Sequence, residues 1–173
     1  MQILHLSDTH SKHRLLQNLP PADIIIHSGD LSWNGLEDEV LDFIEWFGAL
    51  PYKYKIFIAG NHDDCLFGSN IDGLPENCFY LSNSGVTIEG VKFYGVPMFT
   101  EDGISGDYDI NILKIPNDTD VLITHQPPLG VLDSSENIHY GDHNLLQIVL
   151  KIQPKYHLFG HIHDAYGIEK RGE

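Results

Sequence analysis

Five short polar motifs each close an apolar run: Ser7-Asp8-Thr9-His10, Gly29-Asp30, Gly60-Asn61-His62-Asp63, Thr124-His125 and Gly160-His161-Ile162-His163. Their side chains are carboxylates, an amide oxygen and imidazoles. This mixture, which requires no thiolate, suits divalent Mn, Fe, Zn, Ni or Co better than copper or an iron–sulfur centre. One Asp-x-His, or one Gly-His, is often only a turn. Five such motifs, all carrying ligand atoms, read as the ligand set of a two-metal hydrolase. Asp30 is the natural bridge, because one carboxylate can offer an oxygen to each of two ions about 3.5–4 Å apart. A water shared by both ions would be acidified toward a pKa of roughly 7, giving a hydroxide nucleophile at neutral pH.

In Gly160-His161-Ile162-His163, extended backbone of period two would point both histidines the same way and turn Ile162 toward the packed side. Asn61 supplies a neutral oxygen to a metal. His62 has no vacancy in a two-metal count and is free to donate a proton or a hydrogen bond to the phosphate or the leaving oxygen. Asp63 either orients His62 or terminates the turn.

The runs before the motifs are the elements that must position these groups. Ile3 to Leu6, Ile24 to Ile26, Ile56 to Ile58, Val121 to Ile123 and Leu158 to Phe159 read as buried strands, since short β-branched and aromatic stretches bounded by Gly, Pro, Asp or Asn suit a covered sheet. Asn34, with Glu37 three residues on, is placed to cap a helix with Leu36, Val40, Phe43, Ile44 and Phe47 on one face. Glu37, Asp38, Glu39, Asp42 and Glu45 then form its solvated side, and Trp46 is read as packing. Val86 to Ile88 and Val91 to Val96 flank Glu89-Gly90, a hairpin signal. A second helix is expected from Asp142 to Ile152, with Pro154 just beyond. Thr100 to Asp109 is read as a loop, either a surface excursion or the border of a pocket, and alternating strand and helix patterns indicate an α/β protein.

At 173 residues and 42% hydrophobic content, the chain fits one domain over residues 1–173. A net charge of −15 with ten Lys and Arg argues against nucleic acid as a partner, yet leaves phosphate esters open because bound divalent ions can reverse the local potential. Cys65 and Cys78 form no CxxC, so a reduced compartment is the simpler assumption, with a disulfide between them the alternative. With no leader and no membrane-length apolar stretch, a soluble cytoplasmic protein is expected. Of the other histidines, His5 and His157 read as packing or surface residues. His27 is a candidate donor to a ligand carboxylate, and His13, His139 and His143 read as exposed, with His139 or His143, in the loop after His125, the alternative candidates to touch substrate.

The five motifs, in this order and spacing, resemble the calcineurin-like metallophosphoesterases. The stretches 50–62, 125–130 and 154–163 are similar to its small metallophosphoesterase-domain-containing branch. The resemblance implies a four-layer α/β/β/α sandwich and hydrolysis of phosphomonoesters or phosphodiesters. By position it implies one metal on Asp8, His10, Asp30 and His163, a second on Asp30, Asn61, His125 and His161, and His62 as the non-ligand catalytic residue. Some animal members of the branch lack the first histidine of the final pair and are weak enzymes, whereas His161 is present here. The branch is associated with phosphodiesters, including cyclic nucleotides, and manganese is the first choice of metal. Family chains usually continue past the final histidine pair into a further strand, so a shortened second sheet is expected, or one closed by a partner chain in a homo-oligomer.

Two alternatives accompany this expectation of a phosphodiesterase acting on a small phosphate ester. One is a phosphomonoesterase of the same fold. The other is a non-catalytic interaction module in which metals stabilise the strand ends. A scaffold needs ligands but has no use for His62. Substrate choice would lie in loops 64–78, 97–112 and 128–142.

Overall fold

The computed structural model describes residues 1–170. Strands β1 (Ile3–Leu6), β2 (Ile24–Ser28), β3 (Tyr54–Ile58) and β4 (Cys78–Tyr80) form one parallel sheet in sequential order. Strands β5 (Ser84–Ile88), β6 (Val91–Val96), β7 (Val121–Thr124) and β10 (Tyr156–Leu158) form the second in the order β10-β7-β6-β5, with only β5 antiparallel to its neighbour. Between β7 and β10 lies a small hairpin of β8 (Ser134–Ser135) and β9 (Ile138–His139).

Strand alternation sorts the apolar side chains into three cores. Ile24, Ile26, Ile56 and Ile58 meet Phe93, Val121 and Ile123 between the two sheets. The intervening Ile25 and Phe57 face outward onto Val40, Phe43 and Phe47 of helix α1 (Glu37–Ala49). On the other side, Tyr94, Val96 and Leu122 pack on Tyr108 and Ile112 of α3 (Asp107–Ile112) and on Leu145 of α4 (His143–Ile152). The result is the expected α/β/β/α layering. Successive side chains of a strand point to opposite faces, so a strand buried on both is apolar throughout.

The β5–β6 hairpin turns at Glu89 and Gly90, whose φ of 50° and 82° match the two left-handed positions of a type I′ turn. Helix α4 starts one residue inside its expected bounds, with the Asp142 carboxylate capping the Leu145 N–H. Trp46 packs against His13, Phe43 and Phe47. Cys65 and Cys78 are free thiols.

Several expectations are corrected. Helix α1 is preceded by Leu36 rather than Asn34, and Leu36 is 57% exposed. Glu39, not Glu37, reaches back to the N–H groups of Asn34 and Leu36, because only a side chain one turn inside the helix can fold back over its start. The acidic side of α1 is partly paired, with Arg14 bridging Asp42 and Glu45. Thr100 to Asp109 is no plain excursion: α2 (Thr100–Ser105) and α3 meet at Gly106 with φ 84° and border a cavity of about 270 Å³. His13 is buried, hydrogen-bonded to Asp42 at 2.9 Å. Strand β10 spans Tyr156–Leu158, so Phe159 lies outside it.

Candidate metal centre

Every candidate residue lies just beyond the carboxyl end of a parallel strand: Asp8 and His10 after β1, Asp30 after β2, Asn61 and His62 after β3, His125 after β7, and His161 and His163 after β10. The parallel pairing places these strand ends at one rim, where open α/β sheets bind ligands. Sharp turns then aim the side chains: Asp8, His10 and Asp30 have φ of 54°, 45° and 57°, and His161 has 73°. Left-handed backbone is strained for such residues, and it clusters here. His161 and His163 do not converge through extended alternation as expected. They converge through the left-handed turn at His161, followed by a 3₁₀ turn at His163–Ala165.

Three overlapping groups of ligand atoms result, each within 4.8 Å: Asp8, His10 and His163; His10, Asp30 and His62; and Asp30, His125 and His161. Asp30 Oδ2 lies 3.7 Å from His10 Nε2 and 3.4 Å from His125 Nε2. Asn61 Oδ1 is 3.1 Å from His125 Nε2, and Asp8 Oδ1 is 3.4 Å from His163 Nε2. Ligands held about 2.0–2.2 Å from one ion at tetrahedral or right angles are about 3–3.5 Å apart, so most of these separations suit a shared cation. Asp30 Oδ1 is engaged by the His62 N–H at 2.9 Å. Oδ2 is the carboxylate oxygen that faces both His10 and His125.

The imidazoles are preset as donors. Nδ1 of His125 donates to the Ser28 carbonyl at 2.8 Å, and Nδ1 of His10 lies 3.3 Å from the Ser32 carbonyl. Such contacts fix the tautomer and leave the Nε2 lone pair for a metal. Nε2 of His10 and Nε2 of His163 face each other at 3.1 Å, where at most one proton fits between them. Burial lowers the pKa of His10. Burial, then the neighbouring His125, takes that of His161 down to about 4.

His125 and Asp30 behave as a buried pair. Burial disfavours charge on each, yet the Asp30 carboxylate raises His125 above its ordinary value, and His125 with the His62 N–H holds Asp30 below its own. A divalent ion would take over the balancing role of that proton with twice its charge. Three bare glycines keep the space clear. A Cβ on Gly60 would lie 2.2 Å from Asp30 Oδ1, one on Gly160 2.4 Å from Asp8 Oδ2, and one on Gly29 2.5 Å from His125 Nδ1. The donor chemistry, spacing and cleared volume all fit divalent ions.

His62 stands beside this group with Nδ1 donating to the Trp33 carbonyl at 2.8 Å, which leaves Nε2 as its second functional nitrogen. Asp63 does not orient the imidazole. It is fully buried and accepts hydrogen bonds from the N–H groups of Gly60, Leu31 and Ser32, so it ties the Asp30 loop to the Asn61 loop. His27 does not reach a ligand carboxylate: its Nε2 bonds Thr9 Oγ1 at 3.1 Å, between the two ligands of the first motif. His5 and His157 pack inside, bonded to Ser28 and Thr124. His139 is exposed and bonds Asp133, and His143 is exposed at the start of α4. Sequence reasoning missed Ser32 and Trp33, although Gly29-Asp30 placed them within three residues of a ligand.

Residues 1–165 match the sequence profile described as Calcineurin-like phosphoesterase. A UPF0046 protein of Caenorhabditis elegans is 36% identical over 196 aligned residues, covering 99% of this chain and 67% of its own length. Metallophosphoesterase domain-containing protein 1 of Homo sapiens is 39% identical over 202 aligned residues, covering 96% of this chain and 62% of its own length, and the Mus musculus protein of that name matches equally. The chain thus spans about two thirds of the length of these relatives. No helix among the described residues is long and apolar enough to cross a membrane.

Proposed function

The chain belongs to the calcineurin-like phosphoesterases, metal-dependent hydrolases, and from that premise we propose that it hydrolyses a phosphodiester, with cyclic nucleotides the first substrates to test. Asp8, His10, Asp30 and His163 hold one divalent ion, and Asp30, Asn61, His125 and His161 the other, with manganese the first choice. When bound, such ions bind and polarise the phosphate oxygens and make a hydroxide available at neutral pH. The protein's own part is to fix the donors before substrate arrives. Carbonyl contacts aim His10 and His125, and the glycines make room for the side chains of Asp30, Asp8 and His125.

His62 is the proton donor in this reading. With Nδ1 held by the Trp33 carbonyl, a proton on Nε2 can pass to the oxygen of the departing alcohol as its bond to phosphorus breaks. The single observation carrying the proposal is the placement of His62, an imidazole anchored through Nδ1 with its ring centroid 4.8 Å from that of His10 and its ligand atom grouped with those of His10 and Asp30; it is counted outside the two ligand sets. A merely structural metal site has no need of it. Preference for a diester is supported by charge: the candidate ligands and His62 include no lysine or arginine, and the chain carries −15 overall. A monoanionic diester is repelled less than a dianionic monoester, within the limits of screening.

The test compares bis-p-nitrophenyl phosphate, p-nitrophenyl phosphate and cyclic nucleotides on manganese-loaded protein at moderate ionic strength. The diesters should have the higher kcat/KM. An advantage for p-nitrophenyl phosphate of about tenfold or more over every diester, roughly 1.4 kcal/mol of transition-state preference, would make the protein a phosphomonoesterase.

A further inference from the structure

Trp33 sits immediately after the bridging-aspartate motif and is 54% exposed. Its ring centroid is 5.1 Å from that of His10, edge-on at 76°, and 5.7 Å from that of His62, tilted by 35°. The backbone beneath this exposed ring is held at both ends. The Trp33 N–H donates to Ser11 Oγ at 3.1 Å, and the Trp33 carbonyl accepts from His62 Nδ1 at 2.8 Å. Ser11 Oγ in turn donates to Glu39 Oε1 at 2.9 Å. A large aromatic surface is thus exposed on an anchored backbone, hydrogen-bonded to the side chain that serves as proton donor.

From this juxtaposition we infer that Trp33 is a stacking platform for the leaving group, and that the preferred phosphodiester carries a planar aromatic or heteroaromatic group on the oxygen that departs. The inference rests on the phosphoesterase reading and on His62 as donor. The oxygen protonated by His62 belongs to the group that leaves, so the ring standing beside His62 contacts that group before it contacts the part retained on phosphorus. Indole offers a wide flat face with few rotatable bonds to restrain, and aromatic groups stack on it offset or tilted with little regard to their substituents. Lys12 Nζ lies 5.9 Å from the centroid of the same ring. This cation lies over the indole ring, a contact at the long end of cation–π range that a flexible lysine can give up to an incoming aromatic group while keeping its charge near an anionic ester.

Simple packing of Trp33 against His10 and His62 predicts something different. Removing a packing residue would loosen both imidazoles and slow every ester alike. A platform discriminates by the shape of the leaving group.

Wild type, Trp33→Ala and Trp33→Phe, each loaded with manganese, are assayed on methyl phenyl phosphate and methyl trifluoroethyl phosphate, which share the retained group and differ in planarity of the departing one. W33A should lower kcat/KM for the phenyl ester about tenfold more than for the trifluoroethyl ester, mainly through KM, the range expected for loss of one stacking contact. W33F should recover most of the difference. Equal losses on the two esters, or no recovery in W33F, would overturn the platform. The companion measurement does not depend on turnover: 4-nitrobenzylphosphonate, whose nitroaryl group is joined through a P–C bond that hydrolysis does not break, should quench tryptophan emission saturably in wild type, and much less in W33F, where only Trp46 remains. If wild type is inert on both esters yet the quenching difference persists, the hydrolase reading fails and takes the leaving-group role with it, leaving Trp33 only as a surface that binds aromatic groups. If hydrolysis proceeds with identical quenching in both proteins, the platform fails alone.

Discussion

The loops that close the first sheet and those that close the second contribute to the same site with unequal rigidity. In the first, Asp63 gathers the N–H groups of Gly60, Leu31 and Ser32. The chain after β1 is also paired to the chain after β2, with Asp8, His10 and Ser11 donating to the carbonyls of Gly29, Asp30 and Leu31. In the second, His125 is fully buried, but His161 and His163 follow a three-residue edge strand, and the His163 side chain is 58% exposed. This pair is linked to the first sheet through the Asp8 carboxylate, which accepts the His161 N–H at 3.0 Å, and through the His10–His163 contact at 3.1 Å. One side of the site is therefore held in place by the fold, and the other is brought to it by a terminal turn. Ligands from the first group should be indispensable, and those from the second graded in importance by burial.

The largest effect should follow Asp30→Ala, which removes the carboxylate both halves share. Activity should fall by about 10³-fold or more, since several kilocalories per mole of charge stabilisation depend on the ions, and elemental analysis after gel filtration should find fewer than two ions. Full retention of both would remove Asp30 from the centre of the comparison. Next in size, His62→Ala should reduce turnover of an alkyl phosphodiester by about 10²–10⁴-fold with both ions retained, and the loss should shrink for an aryl ester whose leaving group needs less protonation. Loss of metal in this variant would reassign His62 as a ligand.

A smaller effect tests the grading directly. His125→Ala should weaken manganese binding, followed by calorimetry, roughly tenfold more than His163→Ala, because the buried ligand is held by the Ser28 carbonyl and such support commonly contributes 10–100-fold in affinity. The reverse order would show that exposure is a poor guide here. The smallest effect should be common to both sheets. Burial holds His27 well below its ordinary pKa and takes His5 to about 4 and His157 to about 3. The unfolded chain then takes up protons first as pH falls through about 6.5, so the contribution of these three histidines to the stability of the metal-free protein should be complete above that pH and be lost progressively toward pH 4. Guanidinium midpoints in EDTA measure this, and His157→Gln should remove part of the slope. An identical slope in that variant would mean that His157 is not held neutral.

The ligand-bearing strand ends were readable because strand and motif alternate within a few residues, and short apolar runs followed by Asp, Asn or His leave little ambiguity. What was not readable depends on distant partners. The burial of His13 rests on Asp42, 29 residues away. The six-residue helices α2 and α3 are too short to show a period and form through packing rather than propensity. Residue types at the site could be named from sequence, but the facing oxygen of Asp30 and the knotting by Asp63 follow from approaches between separate strands.

The clearance left by Gly60 and Gly160 has a consequence for what this sequence can tolerate. Neither residue requires left-handed backbone, so φ does not forbid substitution. Space does, because even the first carbon of a side chain would fall inside a ligand carboxylate's contact distance. Alanine, ordinarily the mildest replacement, should be nearly as poorly accepted at these two positions as a bulky residue. At Gly68 and Gly73 nothing stands within 4 Å of an added methyl, although their positive φ still adds strain. A saturation survey scored for metal retention would then show a cliff at Gly60 and Gly160 and a gradient at the surface glycines, marking the boundary of the centre by the methyl groups it cannot admit.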